Sequence, residues 1–341
     1  MNPTHETTPL LEVSDLTVEI PTRRGIVRAV TEVSFRLHKG ETLCLVGESG
    51  CGKSMTAMAM MNLLPAVAQR RAKHLHAAGI DIGTLSEKEM RKIRGDRISM
   101  IFQEPMTALN PVFTIGDQIV DVLRQHRNVD RATARRRALD LMRKVQIPDP
   151  ECRLGQYPHE QSGGQRQRIL IAMALMCEPD LLIADEPTTA LDATVQLQLL
   201  RLLKVLQSDS GMGMLFITHD LGVVANIADN VAVMYGGRIV EYGKTTEVLS
   251  GPSHPYTKAL IACLPMTGCE RRTPLPVIRG SATPIVGEFQ GCAYRSRCSE
   301  ATDECKDDTA IAPRSISSTH YVRCAKVGSA FNLTRSTLEA S

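Results

Sequence analysis

Apolar residues recur along this chain with two periods, and the alternation between them predicts its elements. Leu11–Ile20 and Val27–Leu37 carry strand-like runs on either side of Pro21–Gly25, a turn-rich segment, so this stretch reads as an antiparallel hairpin. Thr42–Val46 is a short apolar strand that runs into a glycine-rich turn. Ser54–Leu64, rich in Met and Ala, reads as a helix that Pro65 ends. Ile98–Phe102, Leu181–Ala184 and Met214–Thr218 are further short apolar strands. Between them the pattern is helical from about Thr107 to Tyr157, with Asp130–Val145 rich in Ala, Leu and Arg, and again over Arg166–Met176. Val231–Tyr235 and Arg238–Tyr242 flank Gly236 and Gly237, a two-residue hairpin turn. Buried strands alternating with helices predict a mostly parallel sheet covered on both faces. After roughly Pro265 the composition shifts to Pro, Gly, Thr, Cys and charge, which marks a second region.

Composition narrows the class. The 341 residues are 43% hydrophobic, enough for one large core and an appendage. A net charge of +3 offers no basic face for nucleic acid. The basic run Arg131–Arg143 is punctuated by aspartate and lacks aromatics, so it reads as a solvated helix face. No apolar stretch reaches the ~18–20 residues of a membrane-spanning helix. Met1–Leu10 is polar and lacks the apolar run of a secretory signal, so a soluble, intracellular protein is expected.

The chemistry begins at Gly47. Gly47-Glu-Ser-Gly-Cys-Gly-Lys53-Ser54 matches G-x-x-x-x-G-K-[ST] between a predicted strand and a predicted helix, the setting that a phosphate-binding loop requires. Gly47, Ser49, Gly50, Cys51 and Gly52 can wrap backbone amides around phosphate oxygens, helped by the helix N-terminus. Lys53 would reach the β- and γ-phosphates, and Ser54 would hold Mg²⁺. Cys51, near Lys53 and a helix start, sits where a thiol pKa can fall. Inactivation by alkylation, with protection by ATP, is therefore expected.

Leu181–Ala184 ends in two carboxylates, Asp185 and Glu186, which alternation turns in different directions. Asp185 suits the Mg²⁺ shell, and Glu186 suits a general base that polarises water.

Gln161-Ser162-Gly163-Gly164-Gln165 resembles the L-S-G-G-Q signature of ABC ATPases, and the other motifs stand in that family's order. Gln103 resembles the Q-loop glutamine, which the family places near the γ-phosphate and Mg²⁺. Thr189-Ala190-Leu191-Asp192 resembles the D-loop, and His219 the switch histidine. The resemblance implies an α/β P-loop NTPase core with an antiparallel β subdomain and a helical subdomain at about 107–178. That core would span 1–265, and a small Cys-containing extension would span 266–341. It also implies a head-to-tail dimer in which Ser162, Gly163, Gly164 and Asp192 serve the ATP held by the other subunit. Gln161 replaces the family's usual leucine. Ile20 falls where relatives carry an aromatic that stacks on adenine, so GTP is expected to compete with ATP.

Ser253-His254-Pro255-Tyr256-Thr257 and Glu104–Pro111 resemble segments of oligopeptide and dipeptide importers. That resemblance implies a peripheral subunit on the cytoplasmic face of the inner membrane. Its partners would be two transmembrane permease subunits and an extracytoplasmic solute-binding protein. Cys292, Cys298, Cys305 and Cys324 form a group near the end. In a cytosolic chain four cysteines suggest metal more than disulfides, although the spacing is wider than in zinc knuckles. Similar importer subunits carry the same group, and a 4Fe-4S iron–sulfur cluster is expected ahead of Zn²⁺. Cys44, Cys152, Cys177, Cys263 and Cys269 read as ordinary residues. A soluble ABC ATPase of translation or DNA repair, and a redox-sensing regulatory ATPase, are the alternatives.

Overall fold

Strands β1 (Leu11–Thr22) and β2 (Gly25–Leu37) form the N-terminal hairpin, with Leu11 opposite Leu37 and Thr22 opposite Gly25. The computed structural model describes residues 8–104, 108–189, 191–264, 277–281 and 285–327. Pro105–Thr107, Ala190, Cys269 and the expected boundary near Pro265 lie outside the described residues. Strand β3 is Thr42–Val46. Three short strands, β4 (Gln69–Arg71), β5 (His74–Ala77) and β6 (Ile80–Asp81), were not anticipated by the apolar pattern. β4 and β5 pair with β1, and β6 pairs with β5, completing a five-stranded antiparallel sheet.

The second sheet carries the site. β7 (Ile98–Ile101), β8 (Leu181–Asp185), β9 (Gly213–Thr218), β3 and β10 (Asn230–Tyr235) run parallel to one another. β11 (Arg238–Lys244) returns antiparallel on β10. β12 (Arg314–Ser315) and β13 (Tyr321–Val322) extend that edge, giving the order β12-β13-β11-β10-β3-β9-β8-β7. Among the described residues of the C-terminal region, β12 and β13 thus add strands to the edge of the main sheet.

β3 and β8 are buried along their whole length because both faces are covered. Alternation then sends Cys44 and Val46 to one core and Leu43 and Leu45 to the other. The first core packs against the helices Ile115–His126, Arg131–Lys144 and Gly163–Ala174. The second packs against the antiparallel sheet and the helix Lys53–Met60. Each fully buried Leu or Ile contributes about 1.5–3 kcal/mol, so the two apolar faces dominate stability.

Helix starts follow their capping residues. Thr114 accepts from Asp117 N and Asp130 from Thr133 N, which fixes two helices of the predicted helical stretch. Ser162 accepts from Gln165 N while Gln165 reaches back, so the third helix begins at Gly163, earlier than the apolar pattern suggests. Among the described residues no helix is long and apolar enough to cross a membrane.

Candidate functional site

Because β3, β9, β8 and β7 are parallel neighbours, their C-terminal ends share one edge of the sheet. Open α/β sheets bind ligands at that edge. The Gly47–Gly52 loop leaves β3, His219 follows β9, Asp185 and Glu186 end β8, and Gln103 follows β7.

The loop is pressed between β2 and β10. A Cβ on Gly52 (φ +107°) would overlap Ala29 O, and one on Gly47 would overlap Met234 O. Lys53 is 4% exposed, and its Nζ donates to Gly47 O at 2.7 Å and Glu48 O at 3.1 Å. Nζ also lies 3.9 Å from Glu186 Oε1. Ser49, Gly50, Gly52, Lys53 and Ser54 line a cleft with Gln103 and Glu186 on its far side.

Cys51 corrects an expectation. It is 1% exposed, and burial raises its thiol pKa despite the pull of Lys53 and the hydrogen bonds around it. A buried, protonated thiol is a poor nucleophile, so the reactive-cysteine reading of this position does not hold.

The two carboxylates diverge as strand alternation requires. Asp185 Oδ1 accepts from Ser54 Oγ at 3.0 Å, and burial holds its carboxyl above the usual range. Glu186 Oε2 accepts from Gln103 Nε2 at 3.2 Å and Thr189 Oγ1 at 3.0 Å, and His219 Nδ1 lies 3.2 Å from it. Glu186 has φ +45°, a left-handed conformation uncommon for a non-glycine residue, which turns it away from Asp185. Four motifs far apart in sequence thus meet at one carboxylate. Thr189 opens the D-loop-like motif, and its hydrogen bond to Glu186 is a role that the motif alone does not assign.

Other predicted residues lie apart. Ser162, Gly163 and Gly164 start their helix outside the cleft, and a Cβ on Gly163 would meet open space. Asp192 caps the helix Ala193–Ser210 through Thr194 N and Val195 N. Ile20 faces Val27 across the hairpin, and Val27 lines the cleft where Ile20 does not. Arg28 and Ala29 continue that wall. Ile285 joins it from the C-terminal region, where Arg28 N donates to Ile285 O at 3.0 Å.

Cys292, Cys298, Cys305 and Cys324 line one small pocket together with Tyr294 and His254. Burial pushes the Cys292 thiol up to about 11, and the other three thiols add to the shift. Cys298 and Cys324 are raised for the same reason. Among the described residues no three His, Cys, Asp or Glu side chains are arranged to hold a metal ion. The four thiols share this space, and among the described residues they form neither an iron–sulfur nor a zinc ligand shell.

The Ser253–Thr257 segment has a clear structural role. Buried Glu241 accepts from Ser253 N at 2.7 Å, His254 N at 3.0 Å and His320 Nε2 at 2.8 Å. His254 Nδ1 in turn accepts from Tyr256 N, starting the helix Pro255–Ala262. Tyr256 OH accepts from Glu48 N in the phosphate loop at 2.9 Å.

A family model described as "ABC transporter" matches residues 30–189, and "Oligopeptide/dipeptide transporter, C-terminal region" matches 240–305. The dipeptide transport ATP-binding protein DppD of Bacillus subtilis is 47% identical over 320 residues, covering 92% of this chain and 94% of that protein. The oligopeptide transport ATP-binding protein OppD of Bacillus subtilis is 48% identical over 320 residues, with 93% and 88% covered. In structure, the dimeric ATP-binding cassette MJ0796, in a post-hydrolysis state bound to ADP and Pi, matches with a TM-score of 0.61. It is 26% identical, and the match covers 69% of this chain and 98% of that chain. The chain belongs to the ABC transporters, as an ATPase subunit of the oligopeptide/dipeptide importer family.

Proposed function

We propose that the cleft binds ATP and Mg²⁺ and that its hydrolysis drives import of dipeptides, oligopeptides or similar small solutes. The observation that carries this reading is the meeting of Lys53, Gln103, Glu186 and His219, with Ser54 and Asp185 paired beside them. The loop amides and Lys53 hold the β- and γ-phosphates. Ser54 Oγ and Asp185 Oδ1 form an oxygen donor pair suited to Mg²⁺, with Gln103 at the edge of the shell. Mg²⁺, when bound, neutralises charge on the phosphate oxygens. Glu186 takes a proton from the attacking water, and Gln103, Thr189 and His219 fix its carboxylate for that role. ATP and water give ADP and phosphate.

Ser162, Gly163, Gly164 and Asp192 serve the ATP of a second, identical or homologous, subunit in a head-to-tail dimer. Their place outside this chain's cleft supports that reading, as does the dimeric form of the cassette MJ0796. Closure and release of the dimer would move two permease subunits that receive peptide from an extracytoplasmic solute-binding protein. The chain then works as a peripheral subunit on the cytoplasmic face of the inner membrane. The test is reconstitution with the permease pair and binding protein in liposomes. ATP-dependent peptide uptake is expected, and its loss with Glu186→Gln ties transport to this site. ATPase activity without uptake of any peptide overturns the import reading.

For the cysteine pocket we propose an iron–sulfur cluster, 4Fe-4S, ahead of zinc. Four thiols around one space support it, since a cluster spreads its thiolates over several irons where zinc gathers them on one. Cys292, Cys298, Cys305 and Cys324 would hold it, and when bound it would cross-link the chain segments that carry them. Anaerobic purification with iron, sulfide and zinc analysis decides the matter. A colourless protein with neither iron nor zinc removes the proposal.

A further inference from the structure

From the cysteine-bearing region, the Arg297 side chain reaches the phosphate loop. Arg297 is 7% exposed in its side chain, deep for a cation, and sits next to Cys298. Its Nη1 donates to Glu48 Oε1 at 3.1 Å, Glu48 Oε2 at 2.9 Å and Tyr235 OH at 3.2 Å. Its other nitrogens are taken up by backbone: Nε donates to Arg279 O at 2.7 Å and Nη2 to Gly280 O at 3.2 Å. The guanidinium stands over the rings of Tyr235 and Tyr294, at 5.7 Å and 5.9 Å from their centroids. A cation held on every side in this way has one orientation, and that orientation is aimed at Glu48.

Glu48 is the second residue of the phosphate loop. Its carbonyl accepts from Lys53 Nζ within the loop, while its N–H donates to Tyr256 OH and its side chain accepts from Arg297, both outside the loop. Glu48 directly precedes Ser49 and Gly50, which line the cleft, so a free carboxylate here would add negative charge close to a polyphosphate, and like charges repel. Paired with Arg297, that carboxylate is neutralised and held against the C-terminal region.

We infer that Arg297 is a positioning residue of the ATPase, holding the phosphate loop through Glu48. The inference rests on the nucleotide reading of the cleft. It makes nucleotide affinity depend on a region that lies far along the chain and contributes no phosphate ligand. Losing Arg297 leaves Glu48 unpaired one residue from the cleft-lining Ser49, whereas losing the charge of Glu48 as well removes the repulsion.

The experiment measures the Kd of a fluorescent mant-ATP with Mg²⁺ for the full-length chain, together with the melting temperature. Arg297→Met, which keeps the stem over the tyrosines, is expected to weaken binding about tenfold or more, as charge-assisted pairs do when one partner goes. Arg297→Lys restores part of it, since lysine keeps the charge without the fork. Glu48→Gln is expected to cost less than Arg297→Met, and the double variant to bind as Glu48→Gln does. An unchanged Kd for folded Arg297→Met, or losses that multiply in the double variant, overturn the inference. If Arg297→Met does not fold, wild-type affinity in both Arg297→Lys and Glu48→Gln overturns it equally. Wild-type chain that binds no mant-ATP, or Lys53→Ala that binds it undiminished, instead sinks the nucleotide reading itself.

Discussion

Ser54 and Asp185 stand 131 residues apart in the chain, and Ser54 Oγ donates to Asp185 Oδ1 at 3.0 Å. The bond ties the first turn of the helix Lys53–Met60 to the end of β8, so the two oxygens are fixed before any ion arrives. Asp185→Asn keeps the shape and removes the charge. It is expected to lower ATP hydrolysis at least ~100-fold and to abolish the gain in nucleotide affinity on adding Mg²⁺. A magnesium titration at fixed nucleotide checks this, and a normal magnesium response would end the assignment.

Glu186→Gln should separate binding from chemistry. The amide still accepts from Thr189 but cannot take a proton, so hydrolysis is expected to fall ~10²-fold or more. Nucleotide affinity stays within a few-fold, and ATP, no longer consumed, should hold the subunits together in size-exclusion chromatography. Equal losses in affinity and turnover would make Glu186 a binding group only.

Burial of His254 predicts a pH effect on stability. Burial pushes its pKa down to about 4, while the carboxylate of Glu241 opposes that shift and Lys258 adds to it. The folded state therefore holds fewer protons than the unfolded one, and stability falls as pH drops from about 6.5 toward 4. The full difference amounts to about 3 kcal/mol. Glu241, whose pKa is lowered by hydrogen bonds from His320 and two backbone amides despite its burial, adds a loss of the same sign at lower pH. His254→Asn keeps an acceptor for Tyr256 N and should flatten the melting temperature between pH 7 and 5. A slope like that of the parent would assign the effect elsewhere.

Cys51 should resist alkylation. Cys152 is exposed and Cys51 buried, so mass mapping after brief iodoacetamide treatment is expected to find Cys152 labelled first. Rapid labelling of Cys51 would mean that the loop opens far more readily than its packing implies.

Val27 and Ile285 give the cleft an aliphatic wall, and Ile20, opposite Val27 in the hairpin, stands where the family's adenine-stacking aromatic is expected. GTP is expected to compete with ATP at comparable concentrations. Val27→Asp should weaken both nucleotides more than Ile20→Ala does. A strong ATP preference in the parent chain would show that discrimination arises elsewhere.

Much of this was legible in the residues. Thr42–Val46 and Leu181–Ala184 are continuous apolar runs bounded by breakers, and a strand buried on both faces has no other pattern. The motifs at Gly47, Gln103, Asp185 and His219 follow such strands directly, so parallel pairing brings them together. What escaped were contacts that local pattern does not carry. β4, β5 and β6 are short; β4 and β5 form because β1 offers them a free edge, and β6 then pairs with β5. The Cys51 thiol was misread because proximity to Lys53 is visible in sequence while burial is not. Arg297 and Glu48 carry no periodic signal at all; only the fold makes them neighbours.

The separation of that last pair has a consequence for synthesis. Arg297 follows Glu48 by 249 residues. At roughly 5–20 residues per second, the ribosome delivers the arginine about 12–50 s after the glutamate. During that interval the nascent chain already carries its complete Gly47–Ser54 loop, with the carboxylate of Glu48 unclaimed. A nucleotide-binding loop encoded near the start of the message is thus finished near its end, and a ribosome that stops short of residue 297 releases a cassette with every motif present and its loop unbraced.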